Sequence, residues 1–166
     1  MAGTTLVRRL QESDWAALRD ARLAALADAP YAFSSTLARE QQFTEELWRR
    51  RTQSGAVFAA WSGAQIAGLA TARLDAEGWQ LLGMWVHRGL RGTGIAGALV
   101  DAVCAHARDA GAAGITLWVT DVNARAAAFY ARMGFVPTGV RQPVRPEEPG
   151  HSESQLVRDL RPPVPG

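Results

Sequence analysis

Two kinds of residue spacing alternate along the chain, and together they predict a protein of mixed helices and strands. Apolar residues that cluster, or that alternate with polar ones, predict strands at residues 5–10, 56–61, 65–73, 79–86 and 115–119, from Phe135 onward, and at 153–160. Helical spacing and helix-start signals predict helices at residues 14–27, 44–52, 94–110 and 121–133. This order predicts an α/β fold with a mixed sheet of about six or seven strands.

The strand at residues 79–86 is apolar on both faces, which is typical of a central strand. This strand is followed by a helix in which Ile95, Leu99 and Val103 recur every four residues. The helix is followed in turn by the strand at residues 115–119. Two strands joined through a crossover helix are expected to be parallel, with a right-handed connection.

Boundaries and loops are predicted from capping residues and prolines. We expect Ser13 to cap the first helix and Pro30 to end that region, so that residues 31–40 form a loop. Three prolines within residues 141–150 predict a longer loop before the last strand.

The composition is that of a globular protein, with 166 residues, 48% hydrophobic residues and 20% charged residues. We expect a single domain over residues 1–160 and a frayed, proline-rich tail at residues 161–166. The net charge of +2 is too small to indicate binding of nucleic acid, and no apolar run is long enough for a membrane span. Because residues 1–12 do not resemble a signal peptide, we expect a cytoplasmic protein.

All 18 basic residues are arginines. The absence of lysine excludes P-loop nucleotide hydrolysis and Schiff-base chemistry, both of which need a lysine side chain. Cys104 is the single cysteine, so no internal disulfide can form, which fits a reducing compartment. One cysteine and three scattered histidines lack the spacing of metal ligands, so we expect no metal site.

A glycine-rich segment at residues 91–97 lies where the central strand gives way to a helix. Backbone N–H groups at a helix start have no helical partner, and glycines let a phosphate approach them, so this segment predicts an anion site. Glycines at 92, 94 and 97 also match a dinucleotide-binding pattern. In that pattern the glycines follow the strand directly, and an acidic residue about twenty positions later binds the ribose. Here residues 87–91 separate the glycines from the strand, and no acidic residue lies at that distance. A glycine-rich connection without a ligand is the other alternative.

The same segment resembles the acetyl-CoA motif of the GNAT acetyltransferase superfamily, and reads here Arg91-x-x-Gly94-x-Ala96. The resemblance continues downstream through the strand at residues 115–119, then Asn123, Ala126, Phe129-Tyr130 and Met133-Gly134-Phe135. It covers about residues 79–139, with one departure at Arg88, where members often have proline. It implies a mostly antiparallel sheet in which the parallel strands 79–86 and 115–119 splay apart, with helices on the flanks.

The resemblance implies that acetyl-pantetheine lies between these two strands and that the pyrophosphate lies on the helix start. The residues expected to bind acetyl-CoA are Met84, Trp85, Val86, Arg91, Gly92, Thr93, Gly94, Ile95, Ala96, Asn123 and Tyr130. A backbone N–H of the strand would face the thioester oxygen and stabilise the negative charge that develops there.

The resemblance also implies that Tyr130 is the catalytic donor to the departing thiolate. Because a phenol has a pKa of about 10 and a thiol of about 8.5, a strong hydrogen bond suits Tyr130 better than full proton transfer. Glu40 is the first candidate for a catalytic base, since its segment is expected to border the acceptor. A water chain to solvent is an equal alternative, and His87, His151 and Glu153 are further candidates.

The sequence therefore predicts an N-acetyltransferase that moves the acetyl group of acetyl-CoA to a primary amine of a small molecule, directly and in a ternary complex. Acetylation of a protein N-terminus or side chain, and an acyl-CoA-binding module without catalysis, remain the alternatives. A homodimer is frequent in the family and is one expected state, and an acyl group larger than acetyl stays open.

Overall fold

One seven-stranded sheet organises the protein, which we describe from a computed structural model over residues 5–166. The strands are β1 (Leu6–Arg9), β2 (Ala56–Ser62), β3 (Gln65–Asp75), β4 (Gly78–Val86), β5 (Gly114–Thr120), β6 (Val136–Arg145) and β7 (Glu148–Asp159). They lie in the order β1-β2-β3-β4-β5-β7-β6. Every neighbouring pair is antiparallel except β4 and β5, which are parallel, as predicted from the crossover helix between them.

Five helices flank this sheet. They are α1 (Trp15–Asp28), α2 (Leu37–Glu40), α3 (Glu45–Gln53), α4 (Ile95–Asp109) and α5 (Ala124–Arg132). One face carries α1 and α3, and the other carries α4 and α5. None of the helices within residues 5–166 has the length and apolar composition that a membrane span requires.

A hydrophobic core forms on each face of the sheet. Leu99 and Val103 of α4 are fully buried against Leu117 of β5 on one face. On the other face, Leu26 of α1 and Trp48 of α3 pack over β2 and β3. Burying such a side chain contributes about 1.5–3 kcal/mol, so the two cores hold the helices firmly against the sheet.

The parallel strands β4 and β5 separate soon after they meet. Only Gln80 and Thr116 pair between them, supported by a hydrogen bond from Thr116 Oγ1 to the Trp79 carbonyl at 3.4 Å. β4 also carries a bulge, because Ala70 of β3 faces two β4 residues, Gly83 and Met84. Gly83 has a φ of +64°, a conformation that favours glycine and redirects the backbone of β4 at this point.

Two helix starts differ from the sequence prediction. Ser13 does not cap α1; it lies inside a short 3₁₀ turn, and Gln11 and Asp14 cap that turn reciprocally. Asp14 is fixed there because Arg8 of β1 binds its carboxylate at 2.9 Å, a contact that the local sequence does not reveal. The helix predicted from residue 121 begins at Ala124, after Asn123.

The predicted loops are also more ordered than the sequence indicates. Residues 31–40 contain the end of a 3₁₀ turn and the short helix α2. The predicted loop at residues 141–150 is wrong, because these residues complete β6, a tight turn and the start of β7. Pro137 and Pro143 are tolerated in β6 because it is the edge strand, where a missing N–H is not needed for pairing.

Candidate active site between the splayed strands

A cavity of about 600 Å³ opens where β4 and β5 separate. Its walls come from both faces of the sheet. Ala32 and Phe33 follow α1 on one face, whereas Phe129 and Tyr130 belong to α5 on the other. Two ligands that approach from opposite faces can therefore meet between the strands.

The edge of β4 supplies one wall of the cavity. Met84, Trp85 and Val86 all line it, and their backbones have no partner in β5. The Trp85 side chain packs in the core under α1, so this residue offers the cavity mainly its backbone. Free N–H and C=O groups along a strand edge bind an extended ligand in the way that an added strand would.

The start of α4 forms an anion cradle at one end of the cavity. Gly94 caps the helix with a φ of +89° and offers no side chain, so the N–H groups of Ile95, Ala96 and Gly97 receive no capping bond. The first helical bond runs from the Ala98 N–H to the Gly94 carbonyl at 3.1 Å. A Cβ added at Gly94 would meet nothing within 4 Å, so the space beside this residue is open. Such a helix start attracts a phosphate.

Arginines surround this cradle. Arg91 lines the cavity before α4, and Arg125 and Arg132 of α5 line it from the neighbouring helix. The cavity therefore combines a helix start with three arginine residues, and this positive charge suits a ligand with several phosphates.

Asp28, the last residue of α1, holds the arginine-rich loop in place. Its carboxylate accepts a hydrogen bond from Trp85 Nε1 at 3.1 Å and from Arg88 at 3.1 Å, and it also binds Arg91. Arg91 donates in addition to the Val86 carbonyl at 3.1 Å. The hydrogen bond from Trp85, together with those from the two arginines, keeps the pKa of Asp28 below its ordinary value.

Tyr130 lies in the cavity wall on the sheet face that carries α4 and α5. Its side chain is only 7% exposed and contacts the rings of Phe129 and Phe135 at centroid distances of 5.3 and 5.7 Å. Within residues 5–166 its hydroxyl has no hydrogen-bond partner, so the group is available to a ligand. Burial raises the pKa of Tyr130, which keeps the hydroxyl protonated at neutral pH.

Asn123 combines two roles that the sequence left open. Its side-chain oxygen accepts the Ala126 N–H at 3.1 Å and so caps α5. The residue also lines the cavity, and its amide nitrogen remains able to donate to a ligand.

Most of the residues predicted to bind acetyl-CoA meet in this one cavity. Those in its walls are Met84, Trp85, Val86, Arg91, Gly92, Gly94, Ala96, Asn123 and Tyr130. Thr93 and Ile95 are not wall residues. The Thr93 hydroxyl donates to the Leu90 carbonyl, and the Ile95 side chain is buried under α4, so only their backbones can serve the cradle.

Glu40, predicted as a catalytic base, is placed differently. Its side chain is 1% exposed, lies outside the cavity walls, and binds Arg22 at 3.0 Å and Arg51 at 2.9 Å. Burial raises the pKa of Glu40, but the hydrogen bond and charge of Arg22 and the charge of Arg51 outweigh it, so the net shift is downward. A carboxylate bound by two arginines is a poor proton acceptor, and this geometry does not fit the expected role. Arg22 stacks on Phe33, so Glu40 supports the cavity wall indirectly.

Several wall residues were missed from the sequence. Arg125, Phe129 and Arg132 lie four and then three residues apart, a helical spacing that could have grouped them with Tyr130. Trp118 and Thr120 of β5 also line the cavity and were part of a predicted strand. The sequence around Asp28 does not indicate its contacts, because its partners lie about sixty residues away in the chain.

The tip of the β6–β7 hairpin closes the sheet face on which α1 lies. Arg145 donates to the carbonyls of Pro30, Phe33 and Ser35 at 3.1–3.4 Å. Beside it, the ring of Tyr31 contacts that of His151, with centroids 4.9 Å apart. The hairpin tip is therefore fixed to the segment after α1, of which Ala32 and Phe33 line the cavity.

The fold and sequence match known acetyltransferases. A family model described as the acetyltransferase (GNAT) family matches residues 15–135. No curated protein matches the sequence significantly.

Among solved structures, an acetyltransferase of the GNAT family from Streptococcus pneumoniae is similar at a TM-score of 0.75 and 18% identity, covering 94% of this chain and 99% of that one. The structure of yncA from Salmonella typhimurium with its cofactor acetyl-CoA is similar at 0.74 and 15% identity, covering 99% and 98%. Ard1 from Thermoplasma volcanium is similar at 0.75 and 16% identity, covering 98% and 100%. At such identities these structures establish the fold.

Proposed function

The chain belongs to the GNAT acetyltransferase family, and we propose that it transfers the acetyl group of acetyl-CoA to a primary amine of a small molecule. The observation that carries this proposal is the cavity between β4 and β5, which reaches from an anion cradle at α4 to the residues after α1 on the other sheet face. Acetyl-CoA supplies an activated acetyl thioester, and the amine supplies the nucleophile.

The cavity residues fit the chemistry of acetyl-CoA. The uncapped N–H groups at the start of α4, with Arg91, suit the pyrophosphate. The free edge of β4 offers hydrogen bonds to the amide groups of the pantetheine arm. The basic side chains Arg125 and Arg132 add positive charge for the remaining phosphate.

The bulge in β4 and Tyr130 are the parts of this chain that would act on the reacting atoms. A backbone N–H of the redirected segment near Met84 would donate to the thioester oxygen, where negative charge develops. The Tyr130 hydroxyl donates a hydrogen bond to the sulfur that leaves. Because burial raises the pKa of Tyr130, it stabilises the thiolate as a donor and does not itself become a stable anion.

Direct transfer within a ternary complex is favoured over an acyl-enzyme. Cys104, the single cysteine, is buried in α4 outside the cavity walls, and burial raises the pKa of its thiol. The cavity reaches both sheet faces, so the amine can approach from the side opposite to the cofactor phosphates.

A small acceptor is favoured over a protein chain because the hairpin tip is fixed to the segment that lines the cavity on this sheet face. Arg145 fixes the β6–β7 hairpin to the segment after α1, and Tyr31 contacts His151 beside it. An extended polypeptide needs an open groove at this mouth, whereas a compact amine needs only the space between the strands.

The test is CoA release and product mass measured with acetyl-CoA and two panels of acceptors, one of small primary amines and one of peptides with free N-termini. The proposal expects acetylated small amines and much slower peptide acetylation. If only the peptides were acetylated, the acceptor would be a protein and not a small amine. Binding of acetyl-CoA without any acetylated product would indicate a module without catalysis.

A further inference from the structure

Glu153 of β7 lies beside the cavity, on the sheet face opposite to Tyr130. It pairs with Thr120, the last residue of β5, and Thr120 lines the cavity. Leu117 and Leu156 face each other in the core under α4. Because side chains alternate along strands, Thr120 and Glu153 point to the other face, the one on which α1 lies.

The carboxylate of Glu153 has one polar contact within residues 5–166. Gln142 Nε2 of the neighbouring strand donates to Glu153 Oε1 at 2.8 Å. No arginine or histidine lies within ion-pair distance, and the second oxygen, Oε2, accepts no hydrogen bond in this part of the chain. The residue is half-buried, and this burial raises the pKa of its carboxyl, with the Gln142 bond opposing the shift.

Other carboxylates around the cavity are already neutralised by arginines. Asp28 binds Arg88 and Arg91, and Glu40 binds Arg22 and Arg51. At the hairpin and its neighbouring loop the pairs are Glu148 with Arg145 and Asp121 with Arg141.

Four further acids have no arginine partner within residues 5–166, and each lies at a turn or a helix end: Asp75, Glu77, Asp109 and Glu147. Glu153 is therefore the carboxylate beside the cavity whose charge is left for a ligand.

We propose that Glu153 binds the ammonium group of the acceptor and takes its proton, so that the acceptor is a cationic primary amine. This proposal rests on the proposed acetyl transfer and adds the residue that recognises and activates the nucleophile. A carboxylate with a pKa above its ordinary value accepts a proton more readily.

The ammonium gives its first proton to Glu153, which passes it to solvent, and the neutral nitrogen forms a bond to the acetyl carbon. The carbon–sulfur bond breaks with the electron pair on sulfur. The second proton of the nitrogen reaches that sulfur through solvent, while the Tyr130 hydroxyl donates a hydrogen bond to the sulfur, so the products are an amide, the CoA thiol and one proton.

The charged and titratable groups on the elements packed around Glu153 make their own contacts elsewhere. On β7 itself, His151 contacts Tyr31. The ion pair of Asp121 and Arg141 lies on the other sheet face, because Arg141 pairs with Ser154. Arg145, at the tip of the hairpin, binds the carbonyls after α1.

The test compares Glu153→Gln with Glu147→Gln, which removes the same charge from an exposed turn of the same hairpin. We measure kcat/KM for the best small amine from pH 5 to 9, and binding of that amine to the complex with CoA by calorimetry. The expected result is at least a tenfold loss of kcat/KM and a similar loss of amine affinity in Glu153→Gln, with Glu147→Gln within twofold of wild type. The rise of activity at acidic pH should also be lost in Glu153→Gln only.

Glu153→Asp serves as a second variant, which keeps the charge and is expected to recover part of the activity and of the pH-dependent rise. Equal kcat/KM, amine affinity and pH profile in wild type and Glu153→Gln would overturn the role of Glu153 while leaving the acetyl transfer intact. A wild-type protein that acetylates no amine would instead overturn the proposed function, and the absence of amine binding to the CoA complex would then overturn the role of Glu153 as well.

Discussion

Asp28 and Arg91 form an ion pair that joins the end of α1 to the loop before α4. The same carboxylate accepts the Trp85 indole N–H, so it also fixes the end of β4. Three segments that border the cavity are thus held by one side chain. The segment that follows Asp28 forms the other mouth of the cavity, so this contact links the two ligand-binding sides of the protein.

Replacing Asp28 by Asn is expected to lower the free energy of unfolding by about 1 kcal/mol, measured by urea denaturation at pH 7. The side chain is 13% exposed, and its charge-assisted bonds to two arginines are lost, while the bond to Trp85 can persist. Because the folded pKa is lowered, the stabilisation is full above the pKa of the unfolded carboxyl and is lost as pH falls through the folded pKa.

The matched control for Asp28→Asn is Asp20→Asn, since Asp20 lies on the same helix, binds Arg19 and is 70% exposed. This control should change the free energy of unfolding by less than about 0.5 kcal/mol. Equal effects of the two substitutions at pH 7 would show that the Asp28 contacts contribute no more to the free energy of unfolding than an exposed ion pair does.

Replacing Glu40 by Gln is expected to destabilise the protein by about 3 kcal/mol, because Arg22 and Arg51 would keep their charges without a buried partner. Urea denaturation measures this loss. The contribution of Glu40 is present above the pKa of the unfolded carboxyl and disappears as pH falls through the lowered folded pKa. The exposed Glu45, which binds Arg49 on α3, provides Glu45→Gln as the control. A fully stable Glu40→Gln that loses only its activity would restore Glu40 as a base.

Replacing Gly97 by Ala is expected to act in opposite directions on stability and on binding. A methyl group there would meet only the Met133 sulfur at 3.9 Å, and alanine is the better helix former, so stability should rise by about 0.5–1 kcal/mol. Gly97 also lines the cavity at the start of α4, where the methyl group would obstruct the pyrophosphate and weaken acetyl-CoA binding at least tenfold.

Thermal denaturation and calorimetry with CoA check both effects of Gly97→Ala. The control is Ala98→Gly, the reverse change at the next, exposed position, which should lower stability by about 1 kcal/mol and leave affinity unchanged. Unchanged CoA affinity in Gly97→Ala would place the phosphates elsewhere.

Replacing Tyr130 by Phe is expected to lower kcat at least tenfold with CoA affinity within twofold of wild type, because only the donor to the leaving sulfur is removed. The hydroxyl has no partner within residues 5–166, so the fold should lose little stability. The protein has two tyrosines, and Tyr31, 56% exposed, gives the control Tyr31→Phe, which should keep kcat. Equal turnover in all three proteins would remove Tyr130 from the mechanism.

Local patterns were sufficient to predict the parts of the fold that depend on local physics. The apolar stripe of α4 and the glycines before it predicted the crossover helix and the anion cradle, since both depend on residues close in the chain. The resemblance then grouped Tyr130 and Asn123 with that cradle, and the structure brings them to one cavity.

Features that depend on distant contacts escaped prediction. Residues 141–150 of the β6–β7 hairpin were predicted as a loop because of their prolines, and the edge position of β6 in the sheet makes its prolines acceptable. Glu40 was expected to be a free base because Arg22, eighteen residues before it, gives no sign of pairing with it in the sequence. The partners of Asp28 were hidden for the same reason.

The most direct test of the central claim is a thermal-shift titration with acetyl-CoA, CoA and NAD in parallel, on wild type and Gly97→Ala. At a hundred times the dissociation constant, a ligand of the folded state adds about 2.7 kcal/mol to stability. We predict that acetyl-CoA and CoA stabilise the wild type, that NAD does not, and that Gly97→Ala requires at least tenfold more of either CoA ligand. Stabilisation by NAD alone, or by none of the three, would contradict acetyl-CoA binding in the cavity between β4 and β5.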